Sequence, residues 1–148
     1  MHGFLSRTAG LVLVFLLLVV APLLDTYGVQ EMENRMETLN DVSEFLDKVT
    51  DKGEITEDDL NAFYLAVESH GMMLDVRVER LVKTATLLDD GTVSTAYIMA
   101  DDRHSLNVGD IVKVELREMS TTPYKKLLNM FLRLETRTYG LDMAKMVR

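Results

Sequence analysis

The sequence predicts an α+β protein with an N-terminal transmembrane helix that continues into an amphipathic helix. A second short helix, a small antiparallel sheet of three to four strands and a C-terminal helix are expected to follow. Three observations predict this class: residues 8–24 carry no charge, apolar residues recur at helical spacing over residues 29–52, and apolar and polar residues alternate from residue 74 onward. The chain has 148 residues, which is enough for one compact domain after the membrane segment.

The composition narrows the possible function classes. The chain has 16 Lys and Arg against 24 Asp and Glu, a formal net charge of −8, and no cysteine. A nucleic-acid-binding face needs clustered basic residues, so we expect no nucleic-acid partner. Without cysteine there are no disulfides, thiolate zinc sites or cysteine nucleophiles, and the cellular compartment stays open.

The uncharged stretch of residues 8–24 is the strongest single signal in the sequence. As a helix it would be about 25 Å long, the lower end of a membrane span. A cleaved signal peptide is the main alternative, because Arg7 precedes the apolar stretch. Residues 21–25, APLLD, lack the small residues at alternate positions that signal cleavage requires. We therefore predict a retained anchor, with residues 1–28 as leader and span and residues 29–148 as an extracytoplasmic head.

The charges on either side of the span predict its orientation. Arg7 and the amino terminus precede the span, whereas Asp25, Glu31 and Glu33 follow it. Positive charge is retained on the cytoplasmic side of membranes. The sequence therefore predicts a single-pass protein of the cell membrane with a cytoplasmic N-terminus and a C-terminal domain outside the cytoplasm.

One side of the span suits packing against other membrane helices. Gly10 allows close helix approach, and apolar residues follow it at helical spacing. Pro22 lacks a backbone donor and predicts a kink near the outer end of the span. The predicted helix-packing residues are Gly10, Leu11, Val14, Leu18, Ala21 and Pro22.

Two further helices are predicted after the span. Residues 29–52 contain neither Gly nor Pro, and Gly53 ends this helix. Thr56 with Asp59 three positions later predicts the start of the next helix, which runs to about Ser69. The expected apolar positions are Met32, Met36, Leu39, Val42, Phe45, Leu46 and Val49 in the first helix and Leu60, Phe63, Tyr64 and Val67 in the second.

The C-terminal half of the sequence predicts strands and one more helix. Apolar and charged residues alternate over residues 74–79 and 112–117, and the turn signal Asp89-Asp90-Gly91 precedes a third strand over residues 92–99. Thr122-Pro123 predicts the start of a C-terminal helix with Leu127, Leu128, Phe131 and Leu134 on its apolar side. Residues 136–148 stay ambiguous between a strand and a tail.

The sequence offers only weak signals of a metal site. Placing Gly53 at the sixth position of a calcium-binding loop puts Asp59 at the twelfth, as that motif prefers. Lys48 and Lys52 then occupy the first and fifth positions, where carboxylates must coordinate the ion. We therefore predict a corner between two helices and no metal.

The histidines do not predict an active site. His2 lies across the predicted membrane from His70 and His104, and His70 before Gly71 suits a helix C-terminus. Asp101, Asp102, Arg103 and His104 form a polar loop, but no nucleophile motif or phosphate-binding glycine loop accompanies it. We expect a solvated loop, no enzyme, no cofactor and no small-molecule substrate.

Charge is unevenly distributed along the chain. Residues 25–71 hold 13 acidic against three basic residues, a net of −10, whereas residues 113–148 hold eight basic against four acidic residues, a net of +4. One interpretation is a solvated acidic helix face and a basic tail. The other is head-to-tail attraction between copies, in which charge complementarity sets the register of assembly.

The order of these parts resembles that of pilin-like proteins, which have a short basic leader, an apolar helix, an amphipathic continuation and an α+β head. Gly3-Phe4 is similar to the Gly–Phe junction that prepilin peptidase cleaves in type IV pilins, although Thr8 stands where those proteins carry a glutamate. Residues 45–56, 71–78 and 106–114 resemble the heads of TadE-like minor pilins and related pilin-like proteins of Gram-positive bacteria.

The resemblance implies a structural role without a cofactor. Proteins of this family are membrane-anchored components of a tight-adherence pilus or of a related secretion or conjugation machine, so the implied partners are other pilin-like subunits or further copies. Two other classes stay open. One is an anchored accessory or sensor protein that binds a partner outside the cytoplasm, and the other is an anchored enzyme that uses the loop of residues 101–104.

Overall fold

The computed structural model of the chain describes residues 2–102 and 104–148 and has the predicted α+β class. Residues 136–148, which the sequence left ambiguous, contain a fourth strand. The elements in chain order are α1 (His2–Phe15), a π-helical turn (Leu16–Val20), α2 (Ala21–Lys52), α3 (Glu57–Ser69), β1 (Leu74–Leu87), β2 (Val93–Met99), β3 (Ile111–Glu118), α4 (Pro123–Leu132) and β4 (Gly140–Met146).

The residues group into two compact units. The first, called the N-terminal unit, is the chain up to Arg35 together with Thr121–Arg137. The second, called the core unit, is Met36–Ser120 together with Thr138–Arg148. The helix α4 therefore belongs with the apolar N-terminal helix and not with the sheet.

The core unit is built on an antiparallel sheet with strand order β2-β1-β3-β4. The long strand β1 pairs with β3 through its first half and with β2 through its second half, and Leu81 pairs with both neighbours. One face of the sheet packs with α2 and α3 in a hydrophobic core. Its buried members are Val42, Phe45, Leu46, Val49, Ile55, Leu60, Phe63, Val67, Val78, Leu106, Val112, Val114, Leu116 and Val147.

The apolar stripe predicted along residues 29–52 is confirmed from Val42 onward and is wrong at its start. Met32 and Met36 are exposed, whereas Thr38 is fully buried. Helical periodicity identifies which side of a helix is apolar, but it does not identify where along the helix the packed layer begins. In this chain the hydrophobic core begins at Val42.

The corner between α2 and α3 is held by Asp59. Thr56 caps α3 by accepting a hydrogen bond from the Asp59 backbone N–H, and the Asp59 carboxylate accepts one from the Thr56 backbone N–H, each at 3.2 Å. Lys48 and Lys52 approach the same carboxylate at 2.9 and 3.2 Å. Lys48 and Lys52, which argued against a calcium-binding loop, therefore neutralise Asp59, the residue at the twelfth position of that loop. The predicted corner between the two helices is confirmed.

Hydrogen bonding at this corner favours the charged form of Asp59. The Thr56 hydroxyl donates to the carboxylate at 2.6 Å and is the largest cause, followed by Lys48. Together they hold the pKa of Asp59 well below its usual range, although burial of the carboxyl opposes the shift. A carboxyl with a lowered pKa in the folded state stabilises the fold above its unfolded-state pKa, and this contribution is lost as the pH falls.

Replacing Asp59 with alanine should lower the free energy of unfolding by about 1–2 kcal/mol at neutral pH, because the carboxylate half of the capping box at the start of α3 is lost while Thr56 remains. The matched control is Asp58→Ala, which removes an exposed acid from the same helical turn. The difference between wild type and Asp59→Ala should shrink below about pH 4, the ordinary range of an aspartate pKa. Urea unfolding followed by circular dichroism measures both effects. Equal losses in the two variants, or a difference that is independent of pH, would contradict the assignment.

Candidate interaction surfaces

The apolar part of the N-terminal helix is exposed. The described helix Ser6–Lys52 contains one segment that is long and apolar enough to cross a membrane. Leu11 and Leu18 are each 71% exposed, and the apolar residues between them are also exposed. A helix satisfies its own backbone hydrogen bonds, so such a surface is compatible with lipid. By length and composition, this segment is a candidate membrane span.

The predicted helix-packing residues all lie on this exposed segment. Gly10, Leu11 and Val14 belong to α1, Leu18 to the π-helical turn, and Ala21 and Pro22 begin α2. A Cβ added at Gly10 would meet nothing within 4 Å, so the helix surface there is open to close approach. All six residues are exposed and accessible to a neighbouring helix.

The predicted processing site lies near the start of α1. Gly3 is exposed on this helix, and the Phe4 side chain is outside the described part of the chain. Cleavage between the two residues stays a prediction.

The helix changes geometry directly before Pro22. Leu16–Val20 form a π-helical turn in which the Ala21 backbone N–H donates to the Leu16 carbonyl. Proline lacks a backbone donor and its ring clashes with the carbonyl four residues earlier, and a wider turn relieves this clash. In the sequence, Pro22 is the residue that indicates this change in helix geometry.

One face of the N-terminal helix is covered within its own unit. The residues on this face follow helical spacing and are Val20, Leu24, Tyr27, Gly28 and Glu31, of which Val20 and Glu31 are buried and the others half-buried. The Tyr124 ring lies 3.2 Å from the position that a Cβ on Gly28 would take. The Thr122 hydroxyl donates to the Glu31 carboxylate, which also accepts from Arg35. The start of α4 therefore packs on this covered face.

The outer face of the sheet carries an apolar row across all four strands. Strand register pairs Met99 with Leu81, Leu81 with Ile111, and Ile111 with Met146. These residues point away from the core, because side chains alternate along strands and Val112 lies in the core. Met99 and Met146 are exposed, and Leu81 and Ile111 are half-buried. Sequence alternation predicted these strands but not the row, which depends on register.

Beyond Leu81 the sheet narrows to a two-stranded arm. Residues 82–87 of β1 pair only with residues 93–98 of β2, so the arm has two unpaired backbone edges. Leu87, Val93 and Tyr97 are exposed on the same face as the apolar row. Two-stranded ribbons are marginally stable in water, and exposed apolar patches commonly mark interaction sites. The arm and the row together form the candidate interaction surface of the core unit, which we call the outer sheet face.

The polar loop before β3 is a structural element. The His104 Nδ1 lies 2.9 Å from the Ile55 carbonyl oxygen, to which it donates, and the His104 backbone N–H donates to the Asp102 carboxylate. The Ile55 N–H donates back to the His104 carbonyl at 2.9 Å. Asp101 is exposed, and Arg103 lies outside the described residues. These bonds fasten the loop to the corner that precedes α3, and within the described chain no three metal-ligating side chains come together.

A buried ion pair closes the same loop. Arg80 Nε donates to the Asp110 carboxylate at 2.8 Å, and Arg80 Nη1 donates to the Asp102 carbonyl at 2.9 Å. The same carboxylate accepts the Asn107 backbone N–H at 2.9 Å. Arg80 and Asp110 are both buried, and Gly109 adopts a positive φ of 92° in the turn between Asn107 and Asp110. No pattern in the sequence predicts that Arg80 pairs with Asp110.

Part of the predicted charge complementarity is satisfied within one chain. Lys145 on β4 pairs with Asp47 on α2, which joins the basic C-terminal segment to the acidic one. Head-to-tail attraction between copies stays a prediction.

Comparison with known proteins does not assign a family. No family model matches this chain, and no curated protein or solved structure is significantly similar to it. The resemblance to TadE-like minor pilins therefore stays a prediction.

Replacing Arg80 with methionine should lower the free energy of unfolding by about 3–5 kcal/mol, because it leaves the Asp110 carboxylate buried without its cation. Arg77→Met is the matched control, since Arg77 lies on the exposed face of the same strand and pairs only with the neighbouring Asp75 in the described ion pairs. We expect the control to lose about 1 kcal/mol or less. Urea unfolding of both variants measures the difference, and a similar small loss in each would show that the buried pair does not hold the loop.

Proposed function

We propose that the protein is a single-pass, membrane-anchored structural subunit of the pilin-like kind. In this proposal it joins a pilus or a related secretion or conjugation assembly through its N-terminal helix. One observation carries the proposal. A run of helix from His2 to Lys52 is apolar over residues 8–24 and exposed there except at Val20 and Leu24, and from Val42 onward it supplies buried residues to the core of a small antiparallel sheet. Such a helix suits a protein that is held in lipid at one end and folded in water at the other.

The proposed topology places the N-terminus in the cytoplasm and the core unit outside it. Arg7 precedes the apolar segment, and Asp25 and Glu33 follow it on exposed positions of the helix. This distribution agrees with the retention of positive charge on the cytoplasmic side. The protein would therefore act at the outer surface of the cell membrane.

The proposed partners are other pilin-like subunits or further copies of this chain. In lipid, helices associate through close van der Waals packing, which small residues promote. Gly10 and Ala21 lie on the exposed packing face with Leu11, Val14 and Leu18 between them. Assembly through this face requires no cofactor and no chemical step.

The substitution Val14→Lys should abolish assembly and leave the core unit folded, because it places a charge in the packing face of the span. Val12→Lys is the matched control. It is also a valine-to-lysine substitution, two residues away and about 200° around the helix. Both variants therefore have the same free-energy cost of inserting the helix into the membrane. Chemical crosslinking in membranes measures assembly, and circular dichroism measures folding. Normal crosslinking of Val14→Lys, or equal loss in both variants, would contradict packing through this face.

The outer sheet face supports a second candidate function. An anchored accessory protein would bind a partner outside the cytoplasm through the exposed apolar row of Met99, Leu81, Ile111 and Met146. Association would then be lost in Met99→Glu and retained in Val14→Lys. Crosslinking of these two variants side by side therefore separates the two functions.

A further inference from the structure

We propose that α4 is an interfacial helix that inserts its apolar side chains into the outer leaflet of the membrane that the N-terminal helix crosses. The inference rests on the proposed membrane span and extends it, because it gives the protein a second lipid-binding element. It is carried by the position and direction of α4 within the N-terminal unit and by the side chains that α4 leaves exposed.

Two contacts indicate the direction of α4. Thr122, just before the helix, bonds to Glu31, and Tyr124 lies against Gly28. As the chain advances from residue 122 to residue 124, its contact on α2 therefore moves back from residue 31 to residue 28. The helix α4 runs antiparallel to α2, toward the apolar segment.

The length of α4 determines how far its C-terminal end reaches along α2 toward the predicted span. From Tyr124 to Leu132, eight helical steps extend about 12 Å, which corresponds to about eight residues along α2. Starting from Gly28, this length reaches the level of Val20, which is only 5% exposed although its neighbours Val19 and Ala21 are exposed. The burial of Val20 marks the end of the covered face. The C-terminal half of α4 therefore lies level with residues 20–24, the outer end of the predicted span.

The C-terminal half of α4 exposes apolar side chains at that depth. Met130 is 72% exposed and Leu132 is 54% exposed, and Phe131 and Leu134 are exposed beside them. In water this patch would be unfavourable, but at the boundary between lipid headgroups and acyl chains it is favourable. The patch adjoins the exposed apolar surface of the span, which makes lipid the partner that fits both.

Basic side chains flank this apolar patch. Lys126, Arg133 and Arg137 are exposed, and Arg133 follows the last residue of α4 directly. Long basic side chains can bury their carbon stems in an interface and place their charges among lipid phosphates. The combination of an apolar side and flanking cations is that of a helix that lies in a membrane surface.

Single-cysteine labelling tests this placement, and the absence of native cysteine makes each label unique. The full-length chain carrying Met130→Cys or Leu132→Cys is labelled with an environment-sensitive fluorophore. It is then reconstituted into vesicles of phosphatidylcholine with a minor fraction of phosphatidylglycerol. Quenching is measured with nitroxides on the lipid acyl chains and, separately, with aqueous iodide. Two variants serve as references: Leu17→Cys lies in the span, and Val108→Cys replaces a turn residue that is 82% exposed.

Labels at residues 130 and 132 should behave like the label at residue 17, with several-fold stronger quenching by lipid nitroxides than by iodide. The label at residue 108 should show the reverse. Iodide quenching at residues 130 and 132 as strong as at residue 108 would overturn the proposal, and so would protection from both quenchers, which would indicate a protein cover. Iodide quenching at residue 17 would instead refute the membrane span itself.

Discussion

The side chains of one helical run require two different surroundings, and the rest of the structure depends on this requirement. Over residues 8–24 the helix is apolar on every side, so burial of one face against protein would still leave the others in contact with solvent. From Val42 to Val49 only one side is apolar, and this side enters the hydrophobic core. The backbone hydrogen bonds of a helix are satisfied in lipid and in water alike, which allows one element to serve both environments.

Ionic groups in the core unit hold loops in place. Asp59 is shared between a helix cap and two lysines, and Asp110 is shared between Arg80 and a turn N–H. Each arrangement compensates the desolvation of a buried carboxylate with several donors, as buried charges require. The polar loop that raised the question of catalysis is held by the same kind of bonds. These ionic groups therefore hold the helix corner before α3 and the loop before β3 in defined conformations.

Each of the two units has its own exposed apolar surface, and the two surfaces suit different partners. In the N-terminal unit, the candidate span and α4 present apolar side chains, and α4 has basic side chains beside them, which suits lipid and membrane helices. In the core unit, the outer sheet face presents methionine, tyrosine and aliphatic side chains beside unpaired strand edges, which suits protein. The proposed structural subunit would use the first kind of surface for anchoring and the second for contacts with protein.

Local chemistry made much of the fold predictable from sequence. The cap of α3 by Thr56, the turn at Asp89-Asp90-Gly91 and the start of α4 after Thr122 each depend on residues within four positions of one another. What could not be predicted depends on distant partners. The extension of β1 to Leu87 follows from its pairing with β2, the exposure of Met32 follows from where the core begins, and the pairing of Arg80 with Asp110 joins residues 30 positions apart.

The intact mass of the mature protein, purified from its native membrane, shows whether the apolar N-terminal helix is retained as an anchor. A retained anchor predicts a mass that includes residues 8–24, with the chain starting either at Met1 or, after prepilin-type processing, at Phe4. A start at Phe4 would add direct support for the pilin-like class. A mass that lacks about the first 25 residues, as signal-peptide cleavage produces, would contradict the anchor and make the core unit part of a secreted protein.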